Sequence, residues 1–354
     1  MRRVGSPMNS SFGIAVKRWP WRAKMVYTAA RKDNGMNIAE IKDGVKFEGV
    51  ALVRSAEVRT TKAGKPYLEL GLADKSGAIQ AKCWDAPQTP PEAGGLVAVA
   101  GKGGEYNGRP QLTVDHLGPA PADAAIEDFV PCAPRDPQAM LNEVLLAAAA
   151  LRDASISAIV CELIKEANRD GRLLTFPAAK QLHHAERGGL LHHLTDMLRL
   201  AKALVDIHPW LDGDLLCAGV IVHDLGKLSE MQSDAAGLAA EYTVEGRLVG
   251  HIVRGAIDIA RVAERVGADP EKTVLLQHLV LSHHGKLEFG SPVLPKIPEA
   301  EALSIIDVLD ARLFEMRDAL AGVEPGGFSA KVWCLDNREI YRPRPPGPPA
   351  SVEP

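Results

Sequence analysis

The stretch AGVIVHDLGKLSEM, residues 218–231, ends an apolar run with an imidazole, a carboxylate and an ammonium group. His223 and Asp224 are adjacent, and Gly226 and Lys227 follow them. One such pair occurs by chance in many proteins and then indicates only an imidazole bonded to its neighbour. The apolar run favours a buried helix that holds a rigid pair of ligands. We expect Gly226 to end this helix, so that Lys227 turns toward a cavity and faces an anion.

Histidines are concentrated in one part of the chain, since ten of the 11 lie between His183 and His284. Core packing gives no reason for this concentration. The polar residues that stand here, or shortly after, at helix ends or on apolar helix faces are His193, His223, Asp224, His251, His283, His284 and Asp307. Imidazole nitrogens together with carboxylate oxygens suit divalent transition metals such as Mn, Fe, Co, Ni or Zn. The pattern therefore predicts a metal centre.

Helix bundles bind metals through side chains that several helices direct into a common core. Here five helices would each contribute one or two donors, and Asp224, directly after His223, would bridge two ions. Asp310 lies three residues after Asp307 on roughly the same helix face, so either carboxylate is a candidate for the last donor. His192 points in a different direction from His193 and is predicted to lie on the surface.

The segment from Val45 to Val114 contains short β-like runs that alternate apolar and polar residues. Turn signals separate these runs at residues 63–65, 74–77 and 107–108, as antiparallel hairpins require. Five strands within one short segment predict a small closed barrel, which we place at residues 37–117.

Residues 118–137 contain five prolines and little periodicity, and we interpret them as a linker. Beyond them, apolar residues recur at three- and four-residue steps, which predicts an all-helical domain at residues 138–322. The expected fold class is thus a β barrel followed by an all-α domain. In the C-terminal segment, residues 323–354, we expect the proline-rich end from Arg342 to be disordered, because proline removes backbone donors.

Composition is that of a globular protein, with 46% hydrophobic and 24% charged residues, and 354 residues suffice for two domains. The longest apolar runs are shorter than the roughly 20 residues of a membrane-spanning helix, so no membrane partner is expected. Five scattered cysteines without a C-x-x-C arrangement argue against a disulfide framework and a zinc ribbon. They favour a reducing, cytoplasmic environment.

Residues 1–36 form a basic arm with eight Lys or Arg against one Asp. The arm therefore carries +7, and since the whole chain carries −4 the remainder carries −11. The arm lacks the apolar core of a signal peptide. It is either a disordered tail that binds nucleic acid or the product of a start placed too early, with Met25 or Met36 as the true beginning. We favour the second interpretation.

The ordered series H…HD…H…HH…D resembles the HD superfamily of metal-dependent phosphohydrolases, and specifically the YhaM-type 3′-5′ exoribonucleases. Four segments resemble that family closely: FPAAKQLHHAERGGLLHHL (176–194), GVIVHDLGK (219–227), EYTVEGRLVGHI (241–252) and LSHHGKLEFGSPVLPKIPEAEALSIIDVLDA (281–311). The resemblance covers residues 47–343 and includes the barrel, which is similar to an OB-fold. One departure is His192, where the family more often has an acidic residue.

The resemblance implies two divalent ions per chain, with Mn²⁺ as the first expectation. One ion would be held by His193, His223, Asp224 and Asp307, and the second position would be completed by His251, His283 and His284. Asp224 and Lys227 are the expected catalytic residues, and Lys227 matches a lysine that often contacts phosphate. His183 and His184 also match a family motif, and their contact with metal, substrate or neither stays open.

An OB-fold holds single-stranded nucleic acid by a basic groove and by aromatic faces on which bases stack. The candidate cations are Arg54, Arg59, Lys62, Lys65 and Lys82, and the candidate stacking platforms are Tyr67, Trp84 and Tyr106. The barrel segment has ten basic and ten acidic residues, so only local clustering favours binding. Trp84 alternatively fills the barrel interior.

The leading hypothesis is a metal-dependent 3′-5′ exoribonuclease that releases nucleoside 5′-monophosphates from a strand recruited by the barrel. One alternative is an HD-type phosphodiesterase of a cyclic or signalling nucleotide. Another is an OB-fold single-strand-binding protein whose helical domain is structural, although unused buried polar groups are costly. The expected partner is single-stranded RNA, with single-stranded DNA as the alternative. A homo-oligomer is compatible with the sequence.

Overall fold

The computed structural model describes residues 36–85 and 89–345. Most of the basic arm and the last nine residues lie outside this part, so the predictions for the arm and for the proline-rich tail beyond residue 345 lie outside the described residues. Within it, a five-stranded barrel precedes a helical domain, which confirms the expected fold class.

The barrel is built from five long strands joined by the predicted turns. These strands are β1 (Lys46–Thr60), β2 (Pro66–Asp74), β3 (Gly77–Cys83), β4 (Leu96–Tyr106) and β5 (Arg109–Pro119). At the first turn, the Thr61 hydroxyl oxygen accepts from the Lys65 backbone N–H at 3.0 Å. At the third, Asn107 and Gly108 both have positive φ, as a two-residue hairpin turn requires.

Strand pairing closes the barrel in the order β1-β2-β3-β5-β4. The first half of β1 pairs with β4 and the second half with β2, with a register shift between Val53 and Ser55 where the strand bends. The contact between β3 and β5 is parallel, and the other pairings are antiparallel. This five-stranded arrangement is that of an OB-fold. Its interior is apolar, with Leu68, Leu70 and Leu72 fully buried on alternate positions of β2.

Part of the predicted linker packs against both domains. Phe129 and Val130 are buried in a junction cluster, defined here as Leu52 of β1, Phe129, Val130, Ala236 and Leu238. The segment is therefore a packed connection, because its apolar side chains fill the space between barrel and helical domain.

The helical domain contains nine helices within the described residues. They are α1 (Pro137–Ala149), α2 (Ala154–Ala167), α3 (Gly189–Ile207), α4 (Gly213–Val222), α5 (Lys227–Glu230), α6 (Val244–Leu248), α7 (Gly250–Val266), α8 (Pro270–Ser282) and α9 (Pro298–Ala319). The side chains of Asp136, Asp153, Asp212 and Asp269 each accept a backbone N–H in the first turn that follows. Aspartate at this position satisfies donors that the helix itself cannot bond.

A short hairpin interrupts the helical pattern, which the sequence did not predict. Its strands are β6 (Met231–Ser233) and β7 (Ala239–Tyr242), and Gly237 at its turn has φ 77°. Strands this short carry no clear alternation, so periodicity could not reveal them. The hairpin lies between α5 and α6, and its tip supplies Ala236 and Leu238 to the junction cluster.

One apolar core joins α1, α2, α3, α4, α7, α8 and α9. Helix α4 packs against α3, α8 and α9, and seven of its ten residues are buried. Its carboxyl end therefore delivers the residues that follow it into the interior of the domain. None of the helices in the described residues combines the length and apolar character needed to cross a lipid bilayer.

The C-terminal segment folds back toward α9. Phe328 and Tyr341 form an isolated antiparallel bridge, and Arg312 of α9 bonds Asp336 at 2.8 Å. Arg342 is the first residue of the stretch expected to be disordered. It is ordered by a backbone hydrogen bond, because its N–H donates to the Gly327 carbonyl at 2.9 Å. For Arg342, the prediction of disorder was wrong.

Candidate metal centre

The seven predicted donors lie together inside the helical domain. They fall into three overlapping groups in which the donor atoms stand within 4.8 Å of one another: His193, His223 and Asp224; His223, His283 and Asp307; His251, His283 and His284. The groups share His223 and His283, so they form one continuous cluster. The α3, α7 and α9 helices contribute donors from their length, while α4 and α8 contribute the residues that follow their last turns.

Local hydrogen bonds orient these imidazoles. His223 and His283 each follow the end of a buried helix, and each Nδ1 donates to the carbonyl three residues earlier, at 2.9 Å for Val220 and 2.7 Å for Val280. Their Nε2 atoms then face the cluster. Metal-bound histidines in proteins commonly use their second nitrogen in this way.

Asp224 directs its two carboxylate oxygens to different histidines. Oδ2 lies 3.4 Å from His223 Nε2 and 3.7 Å from His193 Nε2. Oδ1 lies 3.6 Å from His251 Nε2 and 3.8 Å from His283 Nε2. The carboxylate therefore has the geometry of a bridge between two donor sets.

Three buried atoms of this cluster have no hydrogen-bond partner: Asp224 Oδ1, His251 Nε2 and His283 Nε2. Buried polar atoms are rarely left without a partner, because each loses its hydration. Donors of a common ion with bonds of about 2.1 Å stand roughly 3.0–3.5 Å apart, close to the separations of 3.4 Å to 3.8 Å around Asp224. The residues present thus fit divalent cations.

Charge is concentrated at Asp224. Burial alone would raise its pKa, but Lys227, with Nζ 2.6 Å from Oδ2, and the neighbouring histidines hold that pKa well below its ordinary value. Burial likewise opposes the charged form of Lys227, and Asp224 nevertheless raises the pKa of that ammonium. The pair is ionised and buried beside the unpartnered donors.

Burial and neighbouring carboxylates shift the pKa values of the imidazoles in opposite directions. Burial would lower the pKa of His193, yet Asp307 and Asp310 raise it to about 9. Burial lowers the pKa of His283 and of His284. The latter two are therefore neutral near pH 7, as nitrogen ligands of a metal must be.

The geometry distinguishes the two carboxylates that the sequence left as alternatives. Asp307 Oδ1 lies 3.4 Å from His193 Nε2, on the side of the ring that faces the cluster. Asp310 Oδ2 lies 2.7 Å from His193 Nδ1, on the opposite side of the ring. Asp307 thus lies on the side of His193 that faces the other predicted donors, and Asp310 bonds the opposite nitrogen of the ring.

His183 and His184 occupy different environments. The His183 ring centroid lies 5.7 Å from that of His193, and burial, followed by the charge of Lys227, lowers the pKa of His183 to about 3. His184 is buried on the far side of His193, with Nε2 2.8 Å from Asp310 Oδ2. The first faces the cluster as a neutral imidazole, and the second contacts the donors through Asp310.

Two sequence-based expectations were wrong. His192 is 3% exposed, with Nδ1 2.7 Å from Glu186 and Nε2 3.2 Å from Asp196. Burial opposes the charge of this ring, but Asp196 and Glu186 raise its pKa to about 9. The α4 helix ends before Gly226, which has right-handed backbone (φ −59°). A Cβ there would lie 2.3 Å from the His251 carbonyl oxygen, so Gly226 permits close packing instead of ending the helix.

Sequence reasoning missed three supporting carboxylates. Glu230 Oε1 lies 3.0 Å from His251 Nδ1 and accepts the His251 backbone N–H at 3.2 Å. Glu186 and Asp196 flank His192. The available signal for Glu230 was its position three residues after Lys227, on the same face of α5. No motif distinguished Glu186.

The barrel carries a second cluster on its outer surface. Tyr67 and Trp84 have ring centroids 5.0 Å apart, and Lys82 Nζ lies 5.7 Å, 6.0 Å and 4.7 Å from the rings of Tyr67, Trp84 and Tyr106. We call these four residues the aromatic patch. Trp84 is 43% exposed, so the alternative that it fills the barrel interior was wrong.

The remaining basic candidates differ in their exposure and in their ion pairs. Lys62 and Lys65 are exposed in the turn between β1 and β2, and Arg54 is exposed on β1. Arg59 stands opposite Tyr67 in the strand register. Its guanidinium is paired with Glu57 at 2.7 Å and Glu69 at 3.2 Å, so it is not an unpaired cation.

Comparison with known proteins agrees with this architecture. The HD domain family matches residues 190–312. The chain is 41% identical over 305 residues to the 3′-5′ exoribonuclease YhaM of Bacillus licheniformis, covering 85% of this chain and 96% of the relative. It is 39% identical over 307 residues to YhaM of Bacillus subtilis strain 168, with coverages of 85% and 96%.

Among solved structures, the second OB-fold domain of replication protein A from Methanococcus maripaludis is similar at 19% identity and a TM-score of 0.22. The match covers 26% of this chain and all of that domain.

Fold and site define a class: an OB-fold barrel followed by an HD-type phosphohydrolase domain. Identity near 40% over most of both chains then identifies the protein more closely. The chain belongs to the YhaM family of 3′-5′ exoribonucleases, and it is an enzyme of the phosphodiester-hydrolysing class.

Proposed function

We propose that this protein is a metal-dependent exoribonuclease that hydrolyses single-stranded RNA from its 3′ end and releases nucleoside 5′-monophosphates. The observation that carries the proposal is the Asp224 carboxylate, whose oxygens face two sets of imidazoles with unpartnered, buried donor atoms. The sequence similarity to YhaM proteins supports the direction of degradation.

The donors divide into two positions that share Asp224. His193, His223, Asp224 and Asp307 would hold one divalent ion, and Asp224, His251, His283 and His284 the other, because Asp224 Oδ2 faces His193 and Oδ1 faces His251 and His283. Mixed nitrogen and oxygen donors suit Mn²⁺, and also Fe, Co, Ni or Zn. When bound, such ions make water a nucleophile near neutral pH and offset charge on phosphoryl oxygens.

The reaction is a hydrolysis in which water oxygen bonds to phosphorus and the P–O3′ bond breaks. The 3′ oxygen takes up a proton and stays on the shortened strand, so the phosphate leaves as part of a 5′-monophosphate. Lys227 is buried beside Asp224 with Nζ 2.6 Å from Oδ2. Its ammonium would donate to a non-bridging phosphate oxygen, where charge develops during displacement.

The barrel would recruit the strand through the aromatic patch. Bases of any sequence can stack on exposed aromatic rings, and this contributes about 1–3 kcal/mol per base. Lys82 within the patch, and Lys62 and Lys65 in the turn that precedes Tyr67, would contact the phosphates. Such contacts discriminate little between sequences, as a degradative enzyme requires.

The test is a side-by-side assay of the Mn²⁺-loaded protein on 5′-end-labelled single-stranded RNA, single-stranded DNA and a cyclic dinucleotide. We expect a ladder of progressively shortened RNA and release of 5′-monophosphates. Hydrolysis of the cyclic dinucleotide alone would instead support a signalling-nucleotide phosphodiesterase. Binding of strands without hydrolysis would support a single-strand-binding protein with a structural helical domain.

A further inference from the structure

A second buried cluster lies behind His193, on the side away from the proposed metals. It consists of His184, Glu186, His192 and Asp310, and each is at most 9% exposed. None of these residues belongs to the seven proposed donors. Their polar atoms nevertheless form a continuous series that ends at His193 Nδ1.

Asp310 is the point at which this cluster contacts the metal centre. Its Oδ2 atom lies 2.7 Å from His193 Nδ1 and 2.8 Å from His184 Nε2. An ionised carboxylate only accepts hydrogen bonds, so both ring nitrogens must donate to the same oxygen. His193 therefore carries a proton on Nδ1, and its Nε2, which faces His223 and Asp307, is the nitrogen that would bind a cation.

The position of His184 is fixed from several directions. Its Nδ1 atom lies 3.1 Å from His192 Nδ1, and its ring packs against Phe314 with centroids 4.3 Å apart. Its carbonyl accepts the Ala178 N–H at 3.0 Å. A Cβ on Gly189 would lie 2.0 Å from that carbonyl oxygen, so the chain keeps a glycine where it passes His184.

The backbone of His184 is also unusual. Within the described residues it is one of four non-glycine residues with positive φ, at 54°. Non-glycine residues adopt this left-handed conformation at an energetic cost, and such positions often serve function. Here the conformation allows the ring to enter the interior and contact Asp310.

We propose that His184 is a positioning residue for the metal centre: by donating from Nε2 to Asp310, it holds the carboxylate that fixes the ring orientation and tautomer of His193. The proposal rests on the metal centre of the proposed function and extends it to a residue that touches no metal. Loss of such an outer contact in other metal sites costs about 10–100-fold in metal affinity.

Two amide variants separate this role from a general structural one. His184→Asn suits a left-handed backbone, but its side chain is too short to replace Nε2. His184→Gln extends its amide to about the position of Nε2 and restores a donor to Asp310. The matched control is His278→Asn, since His278 Nε2 accepts the Lys296 backbone N–H at 2.9 Å within the same domain.

The measurement is the Mn²⁺ content of the full-length protein at a series of buffered free Mn²⁺ concentrations, together with the melting temperature of the metal-free form. We expect His184→Asn to require about 10–100-fold more Mn²⁺ for half-saturation, with a metal-free melting temperature close to that of His278→Asn. His184→Gln should return most of the way to the wild-type midpoint.

A wild-type Mn²⁺ midpoint in His184→Asn would overturn the proposal. Equal loss of affinity in the Asn and Gln variants, with an equal fall in metal-free melting temperature, would also overturn it, because that result marks a structural role. Absence of Mn²⁺ binding by the wild-type protein would refute the metal centre itself and, with it, this inference.

Discussion

At the scale of single residues, Asp224 and Lys227 depend on each other. Their charged atoms lie 2.6 Å apart in the interior, where an unpaired charge is strongly unfavourable. Asp224 also directs one carboxylate oxygen to His193 and His223 and the other to His251 and His283. One carboxylate therefore stabilises both a cation of the protein and the proposed metal ions.

We expect Asp224→Asn to abolish hydrolysis, because the amide keeps the shape of the carboxylate and loses the charge that holds two cations close together. Bound metal per chain should fall by elemental analysis, and added Mn²⁺ should restore little activity. Binding of a single strand should persist, since the aromatic patch is unchanged. Normal metal content together with normal hydrolysis would show that the His-Asp pair is structural.

The same substitution leaves Lys227 buried without its partner, which typically costs about 3–5 kcal/mol. The double variant Asp224→Asn, Lys227→Met removes that charge and serves as the control. It should regain thermal stability while remaining inactive and metal-poor. Recovery of activity along with stability would contradict a direct role for Asp224.

The clustering of the seven predicted donors could be anticipated from the sequence, because their residue types and order are chemically distinctive. The burial of His192 could not be predicted, because the position of this residue on the helix shows only that its side chain points away from that of His193. The side of α3 that carries His192 is buried because Glu186 and His184, in the irregular segment before this helix, contact the His192 ring. The choice between Asp307 and Asp310 likewise needed the orientation of one imidazole ring, which no spacing specifies.

At the scale of elements, ion pairs connect α2 to α7. Glu166 of α2 accepts from Arg261 Nη1 at 3.1 Å and from Arg265 Nη1 at 2.7 Å. The Arg261 guanidinium, assisted by Arg265, lowers the pKa of Glu166 to about 2. Since α7 carries His251, this contact helps to place one of the proposed donors.

Glu166→Gln should reduce the free energy of unfolding by about 1 kcal/mol at pH 7, because both arginines are partly exposed and solvent screens the pair. A lowered pKa means that the contribution is complete above about pH 4.5 and is lost as the pH falls toward 2. Urea unfolding at pH 7 and pH 3 checks this difference. Glu264→Gln, an exposed carboxylate on α7, should show no such effect, and a pH-independent difference would contradict the assignment.

The elements of the barrel were predictable because Gly64, Gly77 and the Asn107-Gly108 pair mark their turns in the sequence. The β6–β7 hairpin was not, since its strands have three and four residues and its stability comes from contacts outside itself. Gly237 at its turn approaches the Thr175 carbonyl so closely that a Cβ would lie 2.6 Å away. Tertiary packing of this kind leaves no periodic signal.

At the scale of the whole molecule, the barrel is proposed to bind the strand and the helical domain to hydrolyse it. Substrates of different length can test these two roles separately. Lys62, Lys65 and Tyr67 changed together to Ala should weaken the use of long single strands about 10- to 100-fold, given about 1–3 kcal/mol for each stacked base. Hydrolysis of a dinucleotide should change little. Steady-state kinetics on both substrates measures the difference.

Lys42→Ala combined with Lys75→Ala is the control, because it removes two barrel cations away from the turn between β1 and β2. It should leave long-strand use near wild type. Equal losses on long and short substrates in the triple variant would instead place the barrel in catalysis or stability.

The junction cluster connects the barrel to the helical domain. The tip of the β6–β7 hairpin lies against the barrel, where a Cβ on Gly94 would stand 2.5 Å from the Ala235 backbone nitrogen. The base of the same hairpin adjoins the metal centre, because Glu230 precedes β6 and contacts His251. A single short hairpin thus spans from the barrel to the proposed catalytic site.

Ala236→Asp should therefore uncouple recruitment from hydrolysis. Ala236 is fully buried, and a carboxylate at this position has no place in an apolar cluster, so the barrel should lose its fixed position on the helical domain. The hairpin base should remain, because the Thr243 hydroxyl donates to the Ser229 carbonyl at 2.7 Å. We expect the ratio of long-strand to dinucleotide hydrolysis to fall toward that of the triple variant, although the aromatic patch and the proposed metal donors are unchanged.

The control is Ala122→Asp, at an exposed position, which should preserve the ratio. A parallel loss of both activities in Ala236→Asp would show that the hairpin supports the metal centre and does not position the barrel.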